Sequence, residues 1–290
     1  MGLLAILISI NVLLLIIFRQ FKVYKVDTFQ AIVFNYLTCV IVGSITLGKF
    51  PLSVESIDKE WFPYAILLGI LFIFGFNVLA RTVQNFGITL TSIAQKMSLI
   101  LSVGFAIIYF NESINLYKIV GILTAIGVII LINFPRKQKE VEDIHLAKLW
   151  YLLLLTWLIS GIIEALLFYV EAMDYSSNAD IGFVVGLFGM AAIIGSVIMV
   201  IGWITRRLKF NWKNLLAGVI LGVPNFFTIY LLLVLINNGQ EGSVIFPILN
   251  VSIILGSALI GFLVFKEKLS KIQWIGFLLG ISCIILIALS

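Results

Sequence analysis

Apolar runs of helix length, one after another with only short polar breaks between them, are the feature that most limits what this chain can become. A membrane span needs about 17–25 mostly apolar residues at 1.5 Å of rise each. In lipid every backbone polar group must be matched internally, so runs of this length become helices. A β-barrel would instead read as short alternating strands. The runs fall at approximately 2–18, 29–48, 61–81, 87–110, 116–133, 148–170, 180–204, 214–236, 243–265 and 272–289, ten candidate transmembrane helices. Only 11% of residues are charged and mean hydropathy is +1.18, against about 25% charged in soluble domains. The expected fold class is all-α integral membrane. The first run lacks a basic start and a small-residue cleavage pattern, which reads as an uncleaved helix rather than a signal peptide.

The chain also writes one stretch twice. Residues 86–134, moved on by 155 positions, land on 241–289. Gly87 falls on Gly242, Ser102 on Ser257, Phe110 on Phe265, Glu112 on Glu267 and Gly121 on Gly276. Each copy is an apolar run, a short break with one Glu, and a second apolar run, which is a duplicated helical hairpin. The most charged segment, RKQKEVEDIHLAK, begins just after Pro135. It divides the chain into a first repeat (1–134), a charged cytoplasmic linker (135–147) and a second repeat (148–290). Five helices per half is an odd number, so the second half enters from the opposite face. The ten helices are therefore expected as two inverted-topology five-helix repeats.

The loops set an orientation. The linkers after helices 1, 3, 5, 7 and 9 carry 15 Lys and Arg residues, whereas the other side carries only Lys49, Lys59 and Lys118. The positive-inside rule puts the basic side in the cytoplasm and both termini outside, in the plasma (inner) membrane. The net charge of +5 is thus a topology signal, and no nucleic-acid partner follows from it. The cysteines, Cys39 and Cys283, lie within apolar runs and read as small packing residues. The single His145 falls in the charged linker, so no metal site, cofactor or His-based catalytic centre is expected, and the chain does not read as an enzyme.

Polar residues inside the spans narrow the function. Lys96 lies about eight residues into the fourth run, beside Gln95. A charge near the bilayer centre costs about 2.5–3.5 kcal/mol even on lenient insertion scales, so it belongs on the bundle interior, where it would anchor an anionic group. Glu164, in the sixth run, is the matching acid and a possible proton carrier. Glu171, two turns on, reads as solvated at the interface. Asn77, Asn225 and Asn250 add amides on neighbouring runs, and Asn250 takes the register place of Gln95. Lys96, Gln95, Asn77, Asn225 and Asn250 are the candidate substrate-binding residues of one shared polar cavity. Pro224 and Pro247 are expected to break helices 8 and 9 near these amides. Glu112 and Glu267 read as start residues of helices 5 and 10, favoured by the helix dipole. Gly182 with Gly186, Gly218 with Gly222, and Gly276 with Gly280 are spaced for close helix contact, which for helices 5 and 10 admits a homodimer.

A Phe-x-Glu-x-(Ile/Leu) turn followed by an apolar run with an early Gly appears in both halves. It is carried by Phe110, Glu112, Ile114 and Gly121, then by Phe265, Glu267, Leu269 and Gly276 with Pro247 upstream. With ten helices in inverted halves, the whole chain resembles the EamA-like branch of the drug/metabolite transporter superfamily. The resemblance implies a secondary permease for small metabolites, working by alternating access and often outward. It makes helices 5 and 10 peripheral and helices 3, 4, 8 and 9 central. The usual Pro of the fourth helix is absent, and Gln95-Lys96 stands a few residues on. Amino acids or related anionic compounds are the expected substrates, with the lipid bilayer as surroundings and proton coupling through Glu164. The alternative is a lipid or lipid-linked headgroup flippase of the same superfamily.

Overall fold

The computed structural model describes residues 2–132, 149–176, 180–239, 241–263 and 270–288; the 135–147 linker and Glu267 lie outside them. Among the described residues there are ten α-helices, one 3-10 turn (Val54–Asp58) and no strand. We number them α1 (Gly2–Val23), α2 (Thr28–Leu47), α3 (Phe62–Lys96), α4 (Leu99–Phe110), α5 (Leu116–Ile132), α6 (Tyr151–Ala172), α7 (Ile181–Ile204), α8 (Trp212–Asn237), α9 (Gly242–Leu263) and α10 (Lys271–Ala288). Six contain a stretch long and apolar enough to cross a membrane: α2, the first part of α3, α6, α7, α8 and α9. Shorter apolar helical stretches occupy 2–18, 94–110, 116–132 and 271–287.

The helices gather into two compact units, Met1–Asn77 with Leu166–Gly239 and Val78–Ala165 with Gln240–Ser290. Each draws on both halves of the sequence, because similarity along the chain and packing in space are different properties.

In unit 1, α2 is set by its ends and by glycine contacts. Asp27 accepts from Gln30 N at 3.0 Å, capping the helix start, while Gly48 (φ 73°) closes it in the left-handed region. The α8 face with Gly218 and Gly222 lies directly on α2. A methyl group at 218 would sit 2.7 Å from Ala31 O, and one at 222 would sit 2.5 Å from Thr38 Cβ. Only bare glycine lets the two backbones approach this closely. Behind them the fully buried Tyr36 is ringed by Phe72, Phe76 and Phe188, with centroids 5.8–6.2 Å away. At the other end of α2, Asp180 caps α7 and accepts the Trp61 indole N–H at 3.1 Å.

In unit 2, α5 packs on α10. A methyl at Gly121 would fall 2.3 Å from Ile287 Cγ1, and one at Gly276 would fall 2.9 Å from Ile132 Cγ1 and Leu131 Cβ. Cys283 Sγ donates to Gly121 O at 3.2 Å, and Gln273 Nε2 donates to Ile132 O at 3.0 Å. Gly280 meets Leu255 of α9. The small residues of the last helix are therefore occupied within the unit.

Four expectations change. The third and fourth runs are not divided at 82–86; α3 continues through Arg81, Gln84 and Gly87 to Lys96, and the break falls at 97–98. Arg and Gln are good helix formers, and one Gly costs only about 1 kcal/mol inside a helix. The Thr82 hydroxyl is also satisfied locally by Val78 O, Leu152 O and Thr156. Pro224 and Pro247 stand inside continuous helices rather than ending them. Glu171 is not solvated: it is 4% exposed and bonded by the Ser176 hydroxyl. Glu112 does serve a helix start, but that of α9 rather than α5.

Candidate functional site

The break at 97–98 places the chemistry. Where α3 stops, its last carbonyls lose their ladder donors. One is recovered by a tight turn, Ser98 N to Gln95 O at 3.3 Å. Met97 O accepts from Ile100 N at 3.2 Å and from the Trp157 indole N–H at 3.0 Å. Lys96 is the final residue of α3, at the negative end of the helix dipole, where a cation is favoured.

From there the Lys96 ammonium donates to Asn250 Oδ1 of α9 at 3.0 Å. Asn250 is 4% exposed, and its side chain lies near Glu164 of α6. The Glu164 carboxylate accepts from Ser102 Oγ at 2.9 Å and from Ser98 Oγ at 3.5 Å, and it attracts the Lys96 charge. Both serines are fully buried. An ammonium, a carboxylate, an amide and two hydroxyls thus form one network inside unit 2, drawn from α3, the 97–98 break, α4, α6 and α9. The amide accepts from the ammonium, and the carboxylate is held by the two hydroxyls beside it. Such a group can hold a solute that carries both an anion and a cation, with the anion on Lys96 and the cation on Glu164.

The sequence-derived site residues divide. Lys96 and Asn250 come together, Glu164 joins them, and Gln95 stands beside them as the carbonyl that closes the turn. Asn77 and Asn225 belong to unit 1. Asn77 is exposed and donates to Ile73 O of its own helix at 2.9 Å. Asn225 turns its amide toward Cys39 Sγ at 3.8 Å, next to the Cys39 contact with Gly222 O at 3.4 Å. Ser98, Ser102 and Trp157 were not singled out by sequence. The i, i+4 spacing of the two serines, which puts both hydroxyls on one helical face, was the available signal for two of them. Among the described residues no group of three or more His, Cys, Asp and Glu side chains could hold a metal ion.

No family model matches the chain. An uncharacterized protein of Haemophilus influenzae is 29% identical over 287 residues, covering 97% of this chain and 94% of that protein. A solved crystal structure of another protein matches with a TM-score of 0.75 at 14% sequence identity, covering 99% of this chain and 95% of that one. At that identity the likeness concerns the fold.

Proposed function

We propose that this chain is a multi-pass permease of the EamA-like, drug/metabolite transporter type, moving small anionic or zwitterionic metabolites such as amino acids across the plasma membrane by alternating access. The observation that carries the reading is the Lys96–Asn250–Glu164 network. Charges are expensive within apolar spans and are found there where substrate, ions or protons pass. Lys96 would hold a substrate carboxylate, Asn250 would share it, and Glu164 would take an amino group or a coupling proton.

Contacts at the helix ends support the ten-span, inverted reading. In an alternating chain, linkers of one parity share a membrane face. Within unit 1, Asp27 N donates to Asn214 Oδ1 at 2.9 Å, joining the first and seventh linkers, and Trp61 bonds Asp180, joining the second and sixth. Within unit 2, Glu112 accepts from Gly242 N, joining the fourth and eighth, and Gln273 bonds Ile132 O, joining the end of the fifth helix to the ninth linker. In every case odd meets odd or even meets even. The first, fifth, seventh and ninth linkers are the basic ones, which supports a cytoplasmic odd face with the termini outside.

The test is flux in proteoliposomes. Protein-dependent uptake of labelled amino acids or small carboxylates is expected, and Lys96→Met should cut the initial rate by about 10-fold or more. Unchanged flux in Lys96→Met removes the lysine from the mechanism. Movement of labelled phospholipids between leaflets without flux of soluble metabolites would instead indicate a flippase, with Lys96 on a headgroup phosphate.

A further inference from the structure

The two copies of the duplicated stretch are folded differently. Gly87 and Gly242 hold the same place in the register. Gly87 lies in the unbroken α3, whereas Gly242 opens α9. Further on, the first copy is interrupted at 97–98, while its register partners at 252–253 are helical. The exposed start of α9 is gripped by the turn between α4 and α5. Glu112 Oε1 accepts from Gly242 N at 2.7 Å and Oε2 accepts from Ser243 N at 2.9 Å. A carboxylate on the first amides of a helix is favoured by both hydrogen bonding and the dipole. Beside it Lys118, only 1% exposed, pairs with Glu241 and donates to Ser113 O at 2.7 Å. Eight residues beyond Gly242, on the same helix, Asn250 holds Lys96. Pro247 lies between, removing one ladder hydrogen bond and giving α9 a point at which to bend.

We propose that the double grip of Glu112 and Lys118 on the start of α9 is a latch that governs the Lys96–Asn250–Glu164 site. While it is closed, Asn250 stays on Lys96. Its release frees the start of α9 to move and to bend the helix at Pro247, and the shift carried through the next turn draws the Asn250 amide off the ammonium, opening the site. The Glu241 side chain, 41% exposed, is where water first reaches the grip. Both prongs are charged contacts, which can form and break as water arrives, unlike interdigitated apolar packing. This inference rests on the permease reading and adds to it the part that moves.

The test uses the full chain with Cys39 and Cys283 replaced by alanine and the pair Glu112→Cys and Ser243→Cys introduced. The Ser243 hydroxyl has no hydrogen-bond partner among the described residues, so its replacement breaks no such bond. A short, reducible bis-methanethiosulfonate bridge then fixes the latch shut. Amide exchange at 244–250 is expected to slow by about 10-fold or more in the bridged form and to recover on reduction. Solute flux is expected to fall by about 10-fold or more in the bridged form and to return on reduction. In the otherwise native chain, Lys118→Met is expected to speed exchange over the same residues. Equal exchange in bridged and reduced protein overturns the latch whatever the flux, and measurable but equal flux in both forms overturns it as well. Slowed exchange with no solute flux in either form leaves the latch standing and sinks the permease.

Discussion

Asn35 of unit 1 and Glu164 of unit 2 both lie within apolar helices, α2 and α6, but their surroundings differ in kind. The described polar contacts around Asn35 are neutral: Cys39 Sγ at 3.9 Å, Asn225 beyond it, and the Thr38 hydroxyl turned back onto Phe34 O at 2.8 Å. Among the described acids of unit 1, Asp27 and Asp180 cap helices and Glu171 accepts from a serine. Around Glu164 the chain has gathered a cation, an amide and two hydroxyls where one helix stops and another begins. Unit 1 is held by backbone contact through Gly218 and Gly222 and by aromatic packing around Tyr36. Unit 2 has glycine contacts of its own and also gathers charges of both signs, Lys96 and Glu164, in one network. Bilayer-embedded helices can pack without ionic groups, so a cation and a carboxylate brought together in apolar helices are the feature that packing alone does not require.

The comparison breaks most readily at Gly222. Replacing it with Leu drives a side chain into Asn35 O and Thr38 of α2. Backbone cannot yield as a side chain does, so the cost should reach about 3 kcal/mol or more. The purified protein should lose its cooperative thermal transition or unfold many degrees earlier; an unchanged Tm would mean that α2 and α8 do not touch there.

Next in size is the ion network. Lys96→Met removes the charged hydrogen bond to Asn250 and the cation nearest Glu164, and should destabilise by about 2 kcal/mol. Adding Glu164→Gln should restore at least about 1 kcal/mol of that loss, a coupling that a double-mutant cycle in denaturant measures directly. Additive effects would show that the two side chains do not share one network. Ser102→Ala removes a hydrogen bond to a carboxylate and should cost about 1.5 kcal/mol, read as a lowered denaturation midpoint. Smallest of all, Tyr36→Phe deletes a buried hydroxyl that has no partner among the described residues. Stability should stay within about 0.5 kcal/mol of the parent or rise slightly. A large loss there would mean that unit 1 also depends on a polar interior.

Much of this was legible in the sequence for physical reasons. Long apolar runs allow only helices, and Lys96 stood out because a charge in such a run has few tolerable surroundings. The pairing of Lys96 with Asn250 was within reach, since both were assigned to one cavity. What pattern could not supply was the place of the break. Arg81, Gln84 and Asn85 look like a loop between spans, yet they are compatible with helix once Thr82 and its neighbours are matched locally. The true interruption, at Met97 and Ser98, carries no Gly or Pro to mark it. Glu112 was assigned to its own hairpin because sequence shows only neighbours along the chain. Its partners, Gly242 and Ser243, are 130 residues away or more. Asn77 and Asn225 lie in unit 1, where their amides meet Ile73 O and Cys39 Sγ, contacts that residue type and helix position do not reveal.

The most direct test of the central claim is a thermal-shift screen of amino acids and small carboxylates on the purified wild-type chain and on Lys96→Met. A solute that occupies the network stabilises the folded protein in proportion to its saturation of the site. At least one solute is expected to raise the wild-type Tm with concentration and to leave Lys96→Met unmoved. Equal shifts in the two proteins would place the solute elsewhere and contradict that claim.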